Sequence, residues 1–191
     1  MNTMQAGPQE TYTLIPTKKI LLWLSMVSMV MLFAGLTSAY VVRQAEGEWT
    51  QFSFPIAFFI SSGFIIASSI SIQWSYNSVK KNELQKSTYG LIITLVLGFA
   101  FVFTQFIAWA DLIAQDVFFI GNPSGSFLYV ITGLHIAHLV GGIVFLIYVS
   151  FRSLQKRYNS ENHLDIELCS VYWHFLDGLW VYLVMFLYLI R

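Results

Sequence analysis

Residues 167–177 have the sequence E-L-C-S-V-Y-W-H-F-L-D and place Glu167, His174 and Asp177 in or near the last apolar stretch of the chain. His174 and Asp177 are three residues apart, so they share one face of a helix. A carboxylate near the middle of a membrane-spanning helix is costly unless it is paired, hydrated or protonated. The other apolar stretch with polar groups at comparable depth, 126–151, carries two of the four histidines. The sequence therefore predicts that these two stretches pack together.

The composition identifies the class of protein. Of the 191 residues, 57% are hydrophobic and 10% are charged, whereas soluble domains carry about 25% charged residues. This predicts an integral membrane protein, and a net charge of zero gives no indication of nucleic-acid binding. Cys169 is the single cysteine, which excludes an intramolecular disulfide and a multi-cysteine metal site. Residues 1–17 lack the pattern of a cleavable signal peptide, so we expect the first apolar stretch to be retained as a span.

Five apolar stretches are long enough to cross a hydrocarbon core of about 30 Å, which takes roughly 20 helical residues. They are residues 20–42, 55–76, 88–110, 126–151 and 168–190. Short polar connections separate them, including the N-P-S-G sequence at 122–125 and a polar break at 159–165. The fold class predicted is all-α: one membrane domain over residues 1–191, with a cytoplasmic tail of residues 1–18 and five transmembrane helices.

The basic residues predict the orientation of this bundle, because cytoplasmic segments carry an excess of Lys and Arg. Of the ten basic residues, only Arg43 and Arg191 fall on one side of a five-helix bundle. The other eight fall on the opposite side, and they are Lys18, Lys19, Lys80, Lys81, Lys86, Arg152, Lys156 and Arg157. We therefore expect a cytoplasmic N-terminus and an external C-terminus.

The intramembrane histidines allow two interpretations. His135 and His138 are three residues apart and could meet one metal ion or haem, with His174 as a third ligand. Alternatively, each is a neutral polar group that hydrogen-bonds a neighbouring helix. A helical rise of about 1.5 Å per residue puts His138 and Asp177 at depths that differ by only about 6 Å. We therefore favour hydrogen bonding, and we expect Asp177 to face away from lipid and to bond to His138 or His174.

Asp177 also fits a proton relay, since intramembrane acids often serve as relays. A relay usually needs several acids, and the interiors of the first three stretches contain no Asp, Glu, Lys or Arg. Proton conduction through this chain alone is therefore disfavoured.

Two further patterns concern packing and lipid. Gly133, Ala137 and Gly141 have the four-residue spacing that lets another helix approach closely. Arg152 and Glu167 are predicted to lie at the cytoplasmic ends of neighbouring helices. They are either ordinary interfacial anchors, with the arginine extending to the membrane surface, or a phospholipid headgroup site with Arg152 on the phosphate. The sequence leaves both interpretations of this pair open.

Two motifs carry a family resemblance. Residues 132–138 read T-G-L-H-I-A-H, Arg152 follows His138 by fourteen residues, and residues 167–180 have the pattern E-x(5)-W-H-F-x-D-x-x-W. In these motifs the chain resembles subunit III of the haem–copper respiratory oxidases, in the short form with the last five of the family's seven helices. Met29 and Ala108 are departures, because many family members have glutamate at these positions.

The resemblance implies a non-redox subunit of a cytochrome c oxidase complex in the bacterial plasma membrane. Such a subunit packs on catalytic subunit I and other oxidase subunits, binds phospholipid, and supports proton uptake and durability during turnover. Haem and copper are expected in the partner subunits, and no catalytic, cofactor-binding or metal-ligating residue is expected here. The candidate lipid or interface residues are Arg152, Glu167, His174, Asp177, His135 and His138.

Two alternatives to this function remain at the level of sequence. One is the same architecture in a quinol oxidase or nitric oxide reductase assembly. The other is an independent haem- or metal-binding membrane protein that uses His135, His138 and His174.

Overall fold

The computed structural model describes residues 17–47, 49 and 53–190, and the regular structure within them is helical throughout. The five helices are α1 (Thr17–Ala45), α2 (Ile56–Lys80), α3 (Leu84–Ala114), α4 (Pro123–Leu154) and α5 (Leu164–Ile190). Each coincides with one predicted stretch and is long and apolar enough to cross a membrane. The predicted all-α membrane bundle is confirmed. The predicted N-terminal tail lies outside the described residues up to position 16, and Lys18 already belongs to α1.

The helices extend beyond the predicted stretches because polar residues supply their first turns. Asn122 precedes α4 as its N-cap, and its side-chain oxygen accepts from the Ser124 amide at 2.9 Å. Pro123 follows as the first helical residue, where its missing N–H costs nothing. The predicted turn at 122–125 is therefore the start of α4. Asp165 likewise lies in the first turn of α5, where a negative charge is favourable, and not in the preceding break.

Hydrogen bonds between helix ends show that successive helices alternate in direction. Near the start of α3, the Thr88 hydroxyl is 2.7 Å from that of Ser153 near the end of α4. At the other end of the bundle, the Gln44 side chain of α1 donates to the Ile190 carbonyl of α5 at 2.6 Å. The eight basic residues predicted to share a side therefore gather at one end, which we call the basic end. Its assignment to the cytoplasmic side stays a prediction.

Small residues bring α2 and α3 close together. The Ser71 hydroxyl donates to the Gly90 carbonyl at 2.9 Å, and the Ser75 hydroxyl donates to the Ser87 carbonyl at 2.7 Å. A Cβ atom on Gly90 would lie 2.7 Å from the Cβ of Ser75 and 3.1 Å from the carbonyl oxygen of Ser71. The absence of a side chain at Gly90 therefore permits this contact.

Serines of α2 also form hydrogen bonds with α5. The Trp173 indole donates to Ser68 at 2.9 Å, and the Trp180 indole donates to Ser62 at 3.2 Å. We call the α2 hydroxyls that bond to α3 or α5 the serine column, and its members are Ser61, Ser62, Ser68, Ser69, Ser71 and Ser75. Because these side chains are small and polar, α2 approaches its neighbours closely and hydrogen-bonds both their donors and their acceptors.

The predicted stripe of small residues on α4 does not face α5, and its contact with another helix stays a prediction. Ala137 and Gly141 are exposed in the chain, and a Cβ on Gly141 would meet open space. The close approach instead occurs at Gly142, where a Cβ would lie 3.2 Å from side-chain atoms of Leu176 and Tyr172 on α5. The four-residue spacing identified a row of small residues but not the face that α4 turns toward α5.

We predict that Gly90→Ala destabilises the α2–α3 contact by about 1–3 kcal/mol, the usual cost of overpacking. Gly63→Ala is the matched control, because a Cβ at Gly63 of α2 meets nothing within 4 Å. Thermal unfolding of both variants in detergent tests the prediction. An equal change in melting temperature for the two variants would contradict it.

Candidate functional site

His174 links α5 to α2. Its Nδ1 is 2.5 Å from the Ser69 hydroxyl, and its Nε2 is 3.0 Å from Gln73 Oε1. Gln73 Nε2 donates to Asn77 at 3.3 Å, which fixes the orientation of the amide. Since Gln73 Oε1 can only accept, His174 Nε2 donates and Nδ1 accepts from Ser69. The imidazole therefore bridges one turn of α2 as a neutral hydrogen-bonding group.

Asp177 lies one turn beyond His174 and is 5% exposed. Neither of its carboxyl oxygens has a hydrogen-bond partner among the described residues. The Ser69 hydroxyl lies near this carboxyl but is directed to His174. The prediction that Asp177 is buried away from lipid is confirmed. The prediction that it bonds to His138 or His174 is wrong.

His138 faces a different neighbour from Asp177. Its Nδ1 donates to the Leu134 carbonyl of its own helix at 2.7 Å, and its ring is 5.9 Å from that of Phe33 on α1. The side chain lines a groove of about 580 Å³, whose walls also include Met29 and Tyr172. Similar depth along the helices did not bring His138 to Asp177, because the two side chains point toward α1 and α2 respectively.

His135 is fully buried in an aromatic cage. The ring centroids of Phe33, Phe101 and Trp180 lie 6.4, 6.1 and 5.0 Å from that of His135. Neither ring nitrogen of His135 has a hydrogen-bond partner in the described part of the chain. The cage supplies packing contacts to the imidazole but no ligand oxygen, nitrogen or sulfur.

The structure does not bring the three candidate histidines together. Within residues 17–47, 49 and 53–190, no group of three or more His, Cys, Asp and Glu side chains is arranged to hold a metal ion. His135 packs on aromatic rings, His138 bonds along its own helix, and His174 bonds to α2. The geometry therefore gives no support to a shared metal or haem site.

A charged cluster at the basic end is centred on Asp165, which sequence reasoning missed. This buried carboxylate accepts from Lys18 Nζ at 2.9 Å, from Arg152 Nη1 at 3.2 Å and from the Tyr158 hydroxyl at 3.3 Å. Burial, together with the Asp165 charge, raises the pKa of Tyr158 above its ordinary value, so the phenol stays protonated and donates. The signal available in the sequence was an acid at the start of one helix opposite the basic ends of two others.

Arg152 and Glu167 both lie at the basic end, but they do not pair with each other. Arg152 Nη1 also donates to the Tyr148 hydroxyl at 2.7 Å. Glu167 instead accepts from Lys19 at 2.7 Å. The cationic side chains of α1 and α4 near the start of α5 thus face protein carboxylates. A lipid phosphate at Arg152 would have to compete with Asp165.

Comparison with known proteins identifies the family. The family model described as "Cytochrome c oxidase subunit III" matches residues 13–190. The chain belongs to the cytochrome c oxidase subunit III family. Subunit 3 of the oxidase from Gadus morhua is 30% identical over 132 residues, which cover 68% of this chain and 48% of that relative. The protein of the same name from Spodoptera frugiperda is 30% identical over 127 residues, which cover 65% and 82%.

The match confirms the resemblance drawn from the two C-terminal motifs. The match and the five apolar helices support a multi-pass membrane protein of this family, and the chain spans about half the length of the Gadus morhua relative. The two family departures are buried: Met29 is 6% exposed on α1, and Ala108 is fully enclosed on α3. Met29 shares its groove with His138.

In this subunit III chain we predict opposite effects for two substitutions on one face of α5. Asp177→Leu should leave stability unchanged or raise it by up to about 1–3 kcal/mol, because it removes a buried polar group that has no partner. His174→Leu should lower stability by about 0.6–1.7 kcal/mol, because it removes bonds to α2. Thermal unfolding of each variant in detergent measures both. Destabilisation by Asp177→Leu with Asp177→Asn tolerated would show that the carboxyl has a partner, such as a water.

Proposed function

We propose that the chain is a non-redox accessory subunit of a cytochrome c oxidase and stabilises the catalytic subunit in a bacterial plasma membrane. The observation that supports this most is that side chains of the family-like motif on α5 hydrogen-bond a neighbouring helix of the same chain. Trp173, His174 and Trp180 hydrogen-bond serines of α2, so these three polar side chains of the motif serve helix packing. The haem and copper of the reaction belong to the partner subunits in this proposal.

The exposed surface of the bundle supports a role in assembly. α1 buries one strip of side chains against α4 and α5 and leaves most of its apolar surface uncovered. The buried strip is Met26, Met29, Phe33, Thr37 and Tyr40. The uncovered surface is available to bilayer lipid and to the catalytic subunit. Through these contacts the chain retains phospholipid and protects proton uptake and turnover durability in its neighbour.

We predict that the oxidase purified without this chain starts at a nearly normal rate and inactivates faster during turnover. Purified complexes with and without the chain should be compared for haem content, initial oxygen consumption and number of turnovers before inactivation. Complementation with the wild-type chain is the control and should restore durability.

Two results would contradict the proposal. One is a Soret band in the isolated chain, which would make it a haem protein in its own right. The other is an immediate loss of the initial rate in a chain-free complex that keeps all of its haem and copper.

A further inference from the structure

Asp177 is a buried carboxyl that the packing of the bundle does not use. It is 5% exposed, and neither oxygen has a hydrogen-bond partner among the described residues. From Leu164, the first residue of α5, the helix rises about 20 Å to Asp177, so the carboxyl lies near the middle of the span. An ionisable group at this depth is costly and usually marks a functional site. Its chemistry depends on the side chains that α2 brings to it.

The side chain that α2 brings to Asp177 is Ser69. Its hydroxyl lies near the carboxyl and donates to His174 Nδ1, with 2.5 Å between the oxygen and the nitrogen. The Ser69 oxygen keeps a lone pair with which it can accept from a protonated carboxyl. A rotation of the Asp177 carboxyl toward Ser69 therefore joins it to His174 through a single hydroxyl.

A row of polar side chains continues from His174 to the basic end. His174 Nε2 donates to Gln73 Oε1 at 3.0 Å, and Gln73 Nε2 donates to Asn77 Oδ1 at 3.3 Å. Both amides are exposed, and Asn77 lies one turn before Lys80, the last residue of α2. Water of the membrane interface can therefore reach the imidazole from the basic end.

The contact between α2 and α5 is closed on the other side of Asp177. Trp180, one turn further along α5, and Ile65, one turn from Ser69 on α2, are fully buried. The Trp180 indole donates to Ser62, whose hydroxyl in turn donates to the backbone of its own helix. Within the described helices, the polar row that reaches Asp177 therefore opens toward the basic end.

The other titratable side chains around α5 face away from Asp177. On α1, α2 and α4, which pack against α5, the charged and phenolic side chains lie within two turns of a helix end. The two histidines of α4 also face elsewhere, His135 into its aromatic cage and His138 toward α1. On α5 itself, Tyr172 bonds to α4 and Tyr182 bonds to α1. His174 is therefore the titratable group with which Asp177 can exchange a proton.

We propose that Asp177 and His174 form a proton-binding site that exchanges with the medium through the basic end. In one arrangement both groups are neutral: Asp177 carries the proton, and Ser69 donates to His174 Nδ1. In the other, the Asp177 O–H bond breaks as its proton passes to the Ser69 oxygen, and the Ser69 proton passes to His174 Nδ1. The carboxylate then accepts from the Ser69 hydroxyl, and the imidazolium donates to Ser69 and to Gln73.

The second arrangement gives the carboxyl the partner that it lacks in the first. A carboxylate in hydrocarbon needs a donor, and an imidazolium needs an acceptor at each nitrogen. Ser69 and Gln73 supply these groups. Water at the exposed amides takes the Nε2 proton, which leaves a neutral imidazole protonated on Nδ1, and it returns a proton by the same route. The inference goes beyond the proposed accessory role, because it assigns proton exchange to side chains of this chain.

The test is the infrared C=O stretch of a protonated carboxyl in the purified oxidase complex. Aspartate with an isotope-labelled carboxyl carbon separates its bands from those of glutamate. We expect one labelled band of a buried carboxylic acid that is absent from Asp177→Asn. Transfer of the wild-type complex to deuterium oxide should shift this band as the proton exchanges, and the time course of the shift measures the rate of exchange.

Variants along the polar row test its part in the exchange. Positioned side chains speed proton transfer by about 10²–10⁴-fold, so Ser69→Ala and His174→Gln should each keep the band and slow its exchange by at least about 10²-fold. The glutamine can still bond to Ser69 and Gln73 but does not take up a proton. Ser69→Thr keeps a hydroxyl and should restore the wild-type rate. Ser62→Ala is the matched control, because this hydroxyl of α2 bonds to Trp180 and not to His174.

Three outcomes would overturn the site. If no labelled band distinguishes the wild type from Asp177→Asn, Asp177 is ionised in the complex and pairs with a cation of a partner subunit. If the band exchanges at the wild-type rate in Ser69→Ala and His174→Gln, the proton reaches Asp177 by another route and His174 serves packing alone. Equal slowing in Ser69→Ala and Ser62→Ala would reflect a general change in packing.

Discussion

Hydrogen bonding between the serine column of α2 and the indoles of α5 is the interaction on which this bundle depends. Water is absent from the hydrocarbon core, so a buried indole N–H must find its acceptor inside the protein. Ser68 and Ser62 supply those acceptors for Trp173 and Trp180. The same column carries Ser71 and Ser75, which hold α3. α2 is therefore the helix through which α3 and α5 are fixed relative to each other.

This arrangement explains why polar residues of α5 coexist with a membrane environment. Trp173, His174 and Trp180 form side-chain hydrogen bonds with α2. Trp180 also forms one wall of the aromatic cage around His135. Asp177, on the same helix, has no such partner. The family-like motif thus combines residues that hold the helices together with one carboxyl that does not. The packing of the described helices therefore gives no reason for a carboxyl at Asp177.

Hydropathy predicted the number, order and type of the elements, because burying backbone polar groups in lipid permits little besides long helices. Depth was also predictable, since rise per residue is constant. The rotation of each helix about its axis could not be predicted. Asp177 faces α2 and His138 faces α1, and Gly142 rather than Gly141 contacts α5. Small errors in the assumed facing of each helix redirect a side chain entirely. The role of Asp165 was missed because its partners come from two other helices, Lys18 of α1 at 147 positions away and Arg152 of α4 at 13.

The most direct test of the serine column is a double-mutant cycle of Ser68→Ala and Trp173→Phe, measured by reversible unfolding in bicelles. The two side chains meet at 2.9 Å, and interhelical hydrogen bonds in membranes contribute about 0.6 kcal/mol on average and about 1.7 at most. We expect a favourable coupling energy within that range, together with additive behaviour between Trp173→Phe and a substitution outside the column such as Gly63→Ala. A coupling energy indistinguishable from zero for Ser68 and Trp173 would contradict it.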